Sequence, residues 1–183
     1  MPVPIDTRHI QNATAPSWRS PSGAADSWER VNLNGFGSSK NTAVTSLVEF
    51  QGMLFAGTRN WTNGAELWRS VDGAVWTQIV QNGFGGGANS GWVDSLVVYH
   101  GSLLVALRNY QTGAQVWSSA NSEAWQRINP DGWGDNNNPH TGDGSTAVIV
   151  INDVLYYGTQ NAASGGEVWS YVTYRILLPY LCR

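Results

Sequence analysis

An arginine followed by asparagine and an aromatic residue occurs twice, as Arg59-Asn60-Trp61 and Arg108-Asn109-Tyr110, with a weaker third version in Gln160-Asn161. These residue types suit sugars: the C–H face of a pyranose packs on a Trp or Tyr ring, and planar amides and guanidinium forks read its hydroxyls. A second aromatic series, Phe36, Phe84 and Trp133, sits inside N-G-F-G, N-G-F-G and D-G-W-G. The competing account of this series is structural, with the rings plugging gaps between repeats while Asn and Gly shape turns. The candidate ligand-binding set is therefore Arg59, Asn60, Trp61, Arg108, Asn109, Tyr110 and Trp133. Two arginines in one register also suit a carboxylated sugar, but Gln160 at the third position denies a three-arginine cluster. Tyr110 with Glu66 has the types of a nucleophile and its partner, yet Gln115 replaces the glutamate in the next copy. No catalytic residue is assigned.

The most polar segment, DGWGDNNNPHTGD, brings Asp131, Asp135, Asn137 and Asp143 within one loop. Their oxygens are of the kind Ca²⁺ takes, but the spacing is not that of an EF-hand, and a solvated loop explains it better. His9, His100 and His140 are far apart in sequence and in repeat register, so no metal site and no cofactor are expected. Asn12-Ala13-Thr14 and Asn60-Trp61-Thr62 match the glycosylation sequon, a pattern often met by chance.

The elements that must position these residues follow from an internal repeat. Trp28, Trp76 and Trp125 recur at intervals of 48 and 49 residues, and Leu47 to Trp68, Leu96 to Trp117 and Val148 to Trp169 are each 21 apart. Only one loop varies in length, as expected of a repeated supersecondary unit. Each copy reads as four strands. In the first, 44–50 and 53–58 are apolar runs joined by Gln51-Gly52, with His100-Gly101 and Asn152-Asp153 as equivalents. A third strand covers 65–70 and a fourth starts at Trp76. The first two runs are apolar at nearly every position, which predicts sheets covered on both faces. A β-propeller-type array of four-stranded antiparallel blades fits best, ahead of a sandwich or solenoid. In such a blade the first and third turns lie on one face, and the Arg-Asn-aromatic and NGFG loops gather on the other.

Ser70-Val71-Asp72-Gly73-Ala74-Val75-Trp76 resembles the Asp-box of bacterial neuraminidase-repeat propellers, one residue shorter than the usual S-x-D-x-G-x-x-W. The next copy keeps Ser119 and Trp125 but has Asn121 for Asp and Ser122 for Gly. The resemblance implies a propeller of the sialidase-like superfamily without its catalytic set, and an extracellular location. Ser70, Asp72, Gly73, Trp76, Ser119, Asn121 and Trp125 then form structural turns, in which Asp accepts backbone N–H bonds and Trp packs the hairpin down.

The organisation expected is a tail at 1–15, repeats over 16–173 (a partial blade at 16–32, then 43–80, 92–129 and 145–173) and an apolar tail at 174–183. That is about three to three and a half blades where rings close with about 4 to 8. The chain is then a fragment, an open arc, or one that completes a ring by self-association through open blade edges.

Composition agrees with an all-β fold: 21 glycines and 10 tryptophans with only 13% charged residues. A net charge of −3 with Lys40 as the single lysine argues against nucleic acid. The single cysteine, Cys182, excludes an internal disulfide. No apolar signal stretch stands at the N-terminus as given, and the run 176–181 is too short to span a bilayer. Three functions stay open: a non-catalytic recognition propeller binding glycans or other small polar ligands, a protein-interaction or structural module, and a degenerate sialidase-like hydrolase.

Overall fold

The computed structural model describes residues 18–140 and 148–173. The expected tails, Asp143, His9, Asn12 and Cys182 lie outside the described residues. The described chain is all-β and antiparallel. Its strands are β1 (Trp18–Arg19), β2 (Glu29–Arg30), β3 (Ala43–Phe50), β4 (Met53–Arg59), β5 (Leu67–Ser70), β6 (Thr77–Val80), β7 (Trp92–Tyr99), β8 (Ser102–Arg108), β9 (Gln115–Ser119), β10 (Gln126–Arg127), β11 (Val148–Ile151), β12 (Val154–Gly158) and β13 (Val168–Tyr171).

Strands β3 to β6 pair in sequence order, and so do β7 to β10 and β11 to β13, while β1 pairs β2. One bridge, Arg59 to Trp92, links the first two sets into a continuous curled sheet. The register repeats: Leu47 faces Ala56, Leu96 faces Val105 and Val148 faces Tyr157. It is pinned by three tight hairpins with both central residues left-handed, Gln51-Gly52 (φ 53° and 74°), His100-Gly101 (47° and 74°) and Asn152-Asp153 (49° and 61°). Left-handed pairs of this kind match the right-handed twist of the strands they join.

The middle unit is covered on both faces, whereas β3 and β11 each leave one face exposed, with Leu47 at 54% and Ile149 at 57%. Phe50, Phe55 and Leu67 of 43–80 pack on Leu96, Leu103 and Val105 of 92–127. Tyr99, Leu104 and Val116 pack in turn with Leu155, Tyr157 and Val148. Strand β8 thus sends Leu103, Val105 and Leu107 one way and Leu104 and Ala106 the other, which is why its sequence does not alternate. Each such leucine, fully buried, contributes about 1.5–3 kcal/mol of transfer free energy.

Aromatic wedges close the gaps. Phe36 stacks on Trp68 at 4.7 Å and meets Trp76 edge-on, Phe84 does the same to Trp117 (4.8 Å) and Trp125, and Trp133 stacks on Trp169 at 6.0 Å. All three wedge residues are left-handed, with φ of 53–57°, a conformation unusual for bulky side chains. The preceding glycine permits it: a Cβ on Gly83 would lie 2.4 Å from the Ser90 carbonyl oxygen. Each wedge rests on a tryptophan tied to its own strand. Glu66 Oε2 accepts from Trp68 Nε1 (2.9 Å) and Asn41 Nδ2 (2.6 Å), and Glu167 Oε2 from Trp169 Nε1 (3.0 Å) and Asn138 Nδ2 (2.9 Å). Gln115 Oε1 accepts from Trp117 Nε1 at 3.2 Å.

The S-x-D-G turn joins β5 to β6. Asp72 Oδ1 accepts from the Ala74 and Val75 amides (2.9 and 2.8 Å) and from Ser70 Oγ, whose oxygen in turn accepts from the Gly73 amide. Those backbone donors hold the Asp72 carboxyl below its ordinary pKa. Asn121 Oδ1 repeats the pattern with the Glu123 and Ala124 amides, both at 3.0 Å. Trp76 Nε1 donates to the Val31 carbonyl.

Candidate functional site

The loops after β4 and β8 are built around their asparagines. Asn60 Oδ1 accepts from the Thr62 and Asn63 amides (3.1 and 2.8 Å), and its Nδ2 donates to Asn41 Oδ1 (2.9 Å). Asn109 does the same with Gln111, Thr112 and Ser90 Oγ, and Asn161 with Ala163, Ser164 and Asp135 Oδ2. Asn60 and Asn109 are buried, with their amides turned inward. They shape the loop that lifts the next side chain to the surface, a recurrent use of asparagine.

The lifted side chains, Trp61 and Tyr110, come from different sheet units yet meet at 5.7 Å with their rings tilted by 37°. They are 40% and 54% exposed. Trp92 stands edge-on to Trp61 at 6.1 Å. Trp61 lies close against Gly91, where a Cβ would come within 2.2 Å of its ring.

The two arginines flank Trp92. The Arg108 guanidinium carbon lies 4.2 Å from the ring centroid and that of Arg59 5.0 Å, within cation–π range. Their surroundings differ. Arg108 donates Nε (3.1 Å) and Nη2 (2.9 Å) to Asp94 Oδ1 and Nη1 to the Tyr110 hydroxyl (3.2 Å), and both members of the ion pair are buried. Burial opposes the Arg108 charge, but Asp94 and the Tyr110 hydroxyl outweigh it and raise its pKa above the usual value. Asp94 sits where the β7–β8 register slips between Val93 and Ser95, a bulge that re-aims its side chain. Arg59 Nε instead donates to Thr42 Oγ1 at 3.1 Å.

Beside this cluster lies a cleft of about 380 Å³ lined by Arg108, Tyr110, Asn137, Pro139, His140 and Gln160. The buried His140 ring meets Tyr110 edge-on at 6.0 Å, and its backbone pairs with Gln160. Of the expected ligand set, Arg59, Trp61, Arg108 and Tyr110 converge here. Trp133 does not join them: it belongs to the wedge series and lines an apolar crevice of about 160 Å³ with Val116, Ile128, Tyr157 and Trp169. Glu66, bonded to Asn41 and Trp68, is not bonded to Tyr110, whose hydroxyl meets Arg108.

Asp131 and Asp135 spend their oxygens locally. Asp131 Oδ1 accepts from Gln115 and Arg127, and Asp135 accepts from Asn137 and Asn161, which lowers its pKa. Among the described residues no three His, Cys, Asp or Glu side chains are grouped to hold a metal ion, and no helix is long and apolar enough to cross a membrane.

Trp92 and Asp94 escaped sequence reasoning, and His140 was weighed only as a metal ligand. A signal was present for the first two: at the matching register the preceding repeat has Ala43 and Thr45, so these are the positions where one copy departs from the other. The chain matches no family model and no curated protein sequence.

Proposed function

We propose that this chain is a non-catalytic recognition module, its four-stranded units arranged as propeller blades, that binds glycans on the surface formed by Trp61 and Tyr110. The observation that carries the reading is the exposed ring pair, held in place by Gly91, Trp92 and Arg108 and set beside a polar cleft. Rigid aromatic faces offer sugar C–H groups a partner at low entropic cost, and the Gln160 and Asn137 amides supply hydroxyl recognition. Because Asp94 neutralises Arg108, the two arginines do not act as a paired anion clamp for a carboxylated sugar. The repeated register and two-sided burial support the blade arrangement.

A glycan array followed by titration calorimetry tests this. Trp61→Ala and Tyr110→Ala are each expected to weaken binding by about tenfold, the equivalent of roughly 1.4 kcal/mol of lost stacking. Absence of binding to any glycan overturns the reading. A fluorogenic sialoside that is turned over by the protein, with turnover lost in Arg59→Ala, supports the hydrolase instead.

A further inference from the structure

Within this chain one kind of contact occurs twice. The first strand of a unit sets two alternate side chains onto the first strand of the next: Val48 and Phe50 of β3 pack in the cluster that holds Leu96 of β7. Val97 and Tyr99 of β7 pack likewise with Val148 of β11. Phe50 and Tyr99 are accordingly 3% and 4% exposed. The register equivalents at the far side of 148–171 are Ile149 and Ile151, and they are 57% and 50% exposed. On the near side of 43–80, Leu47 is the equivalent of Leu96 and Val148, and it is 54% exposed where Leu96 is 7%. Phe36 and Val31 already cover the other end of that near face, at Trp68 and Trp76, so the gap is confined to the first strand.

Among the described residues these two patches are left uncovered, and they are the two halves of an interface the chain already makes twice. We propose that a second copy of this chain supplies the missing contact, with Ile149 and Ile151 of one copy seated on Leu47 of the other. Different patches meet, so the association is heterologous and proceeds head to tail. Continuity with the internal interface identifies the occupant: each patch lies at the strand positions whose register equivalents make that contact inside the chain, and exposed apolar strand positions are otherwise a liability in water. The proposal does not depend on glycan binding, because the patches are made of different residues from the Trp61–Tyr110 surface.

Sedimentation equilibrium of the full 183-residue chain tests it. The wild type is expected to show at least twice its 19.9 kDa mass, falling toward one copy on dilution. Leu47→Glu and Ile151→Glu each remove one half of the interface and are each expected to run as single copies. Mixed, they retain one good half apiece and are expected to form a pair of one copy each. Near-UV circular dichroism of the half-buried, stacked tryptophans confirms folding, and Leu47→Ser and Ile149→Ser provide milder variants in which association weakens by tenfold or more. A wild type of single-copy mass at every concentration overturns the proposal, as it would if residues 174–183 or another protein filled the face. So does a Leu47→Glu variant that still self-associates, or a mixture that fails to pair, since either outcome means like patches meet or none do.

Discussion

The units 43–80 and 92–127 share strand order, register, hairpins, wedge aromatics and loop asparagines, yet only the second buries a charge. At the register slip near the start of the first strand, the former has Thr45, whose hydroxyl donates to the Gly57 and Val93 carbonyls. The latter has Asp94, which binds Arg108. Two positions earlier Ala43 gives way to Trp92, onto which both arginines stack. The same scaffold therefore makes a plain strand junction in one copy and an ordered aromatic–arginine cluster in the next. A bulge that is structural in both units becomes a place to install chemistry in one.

The largest expected effect breaks that difference directly. Asp94→Ala strands a buried guanidinium and is expected to cost about 3–5 kcal/mol in urea unfolding, whereas Thr45→Ala at the same register costs about 1 kcal/mol. The double variant Asp94→Leu/Arg108→Met is expected to recover most of the loss. Equal costs for the two single variants would remove the distinction.

Next in size is Gly91→Ala. The added Cβ collides with the Trp61 ring, and overpacking of this kind costs about 1–3 kcal/mol. The ring is expected to swing outward, seen as a red shift of tryptophan emission and, under the proposed function, as weaker glycan binding. The equivalent residue in the other unit, Thr42, carries a side chain already.

A smaller, pH-dependent effect separates the two turns. Asp72 is held below its ordinary pKa by backbone donors, so its contribution is present above the unfolded-state value near 3.8 and is lost as pH falls through the folded-state value. Asp72→Asn is expected to lower stability at neutral pH by less than about 1 kcal/mol, since the group is solvent-screened, and the gap to wild type is expected to close in acid. Asn121 makes the same turn with a neutral amide, so Asn121→Asp should add stability at neutral pH and none in acid. The smallest effect is expected for Glu66→Gln, which copies Gln115 of the next unit and keeps an oxygen for Asn41 and Trp68. A change within about 0.5 kcal/mol is expected, and a larger loss would show that the charge of Glu66 matters where its geometry does not.

Much of the fold was legible because it rests on local chemistry repeated at constant spacing. The Gln51-Gly52 and His100-Gly101 hairpins, the Ser70-Asp72-Gly73 turn and the two-sided burial of β4 and β8 follow from turn residues and unbroken apolar runs. The site was legible only in part. Arg59, Trp61, Arg108 and Tyr110 announce themselves by recurrence, but recurrence also promoted Asn60 and Asn109, whose regularity reflects the loop they fold. Trp133 takes the gap-plugging place that its position in the NGFG series also suggested, packed against Tyr157 and Trp169.

The amino-acid sequence by itself determined the repeat, the strand pairing and the turns, since these depend on residues close along the chain. Tertiary structure alone decided which candidates meet. Trp61 and Tyr110 touch because Arg59 bridges to Trp92 across two units, and Arg108 turns inward because a bulge aims Asp94 at it. Those outcomes depend on the angle between neighbouring sheets and on a one-residue slip in register, which hydrophobic spacing does not encode.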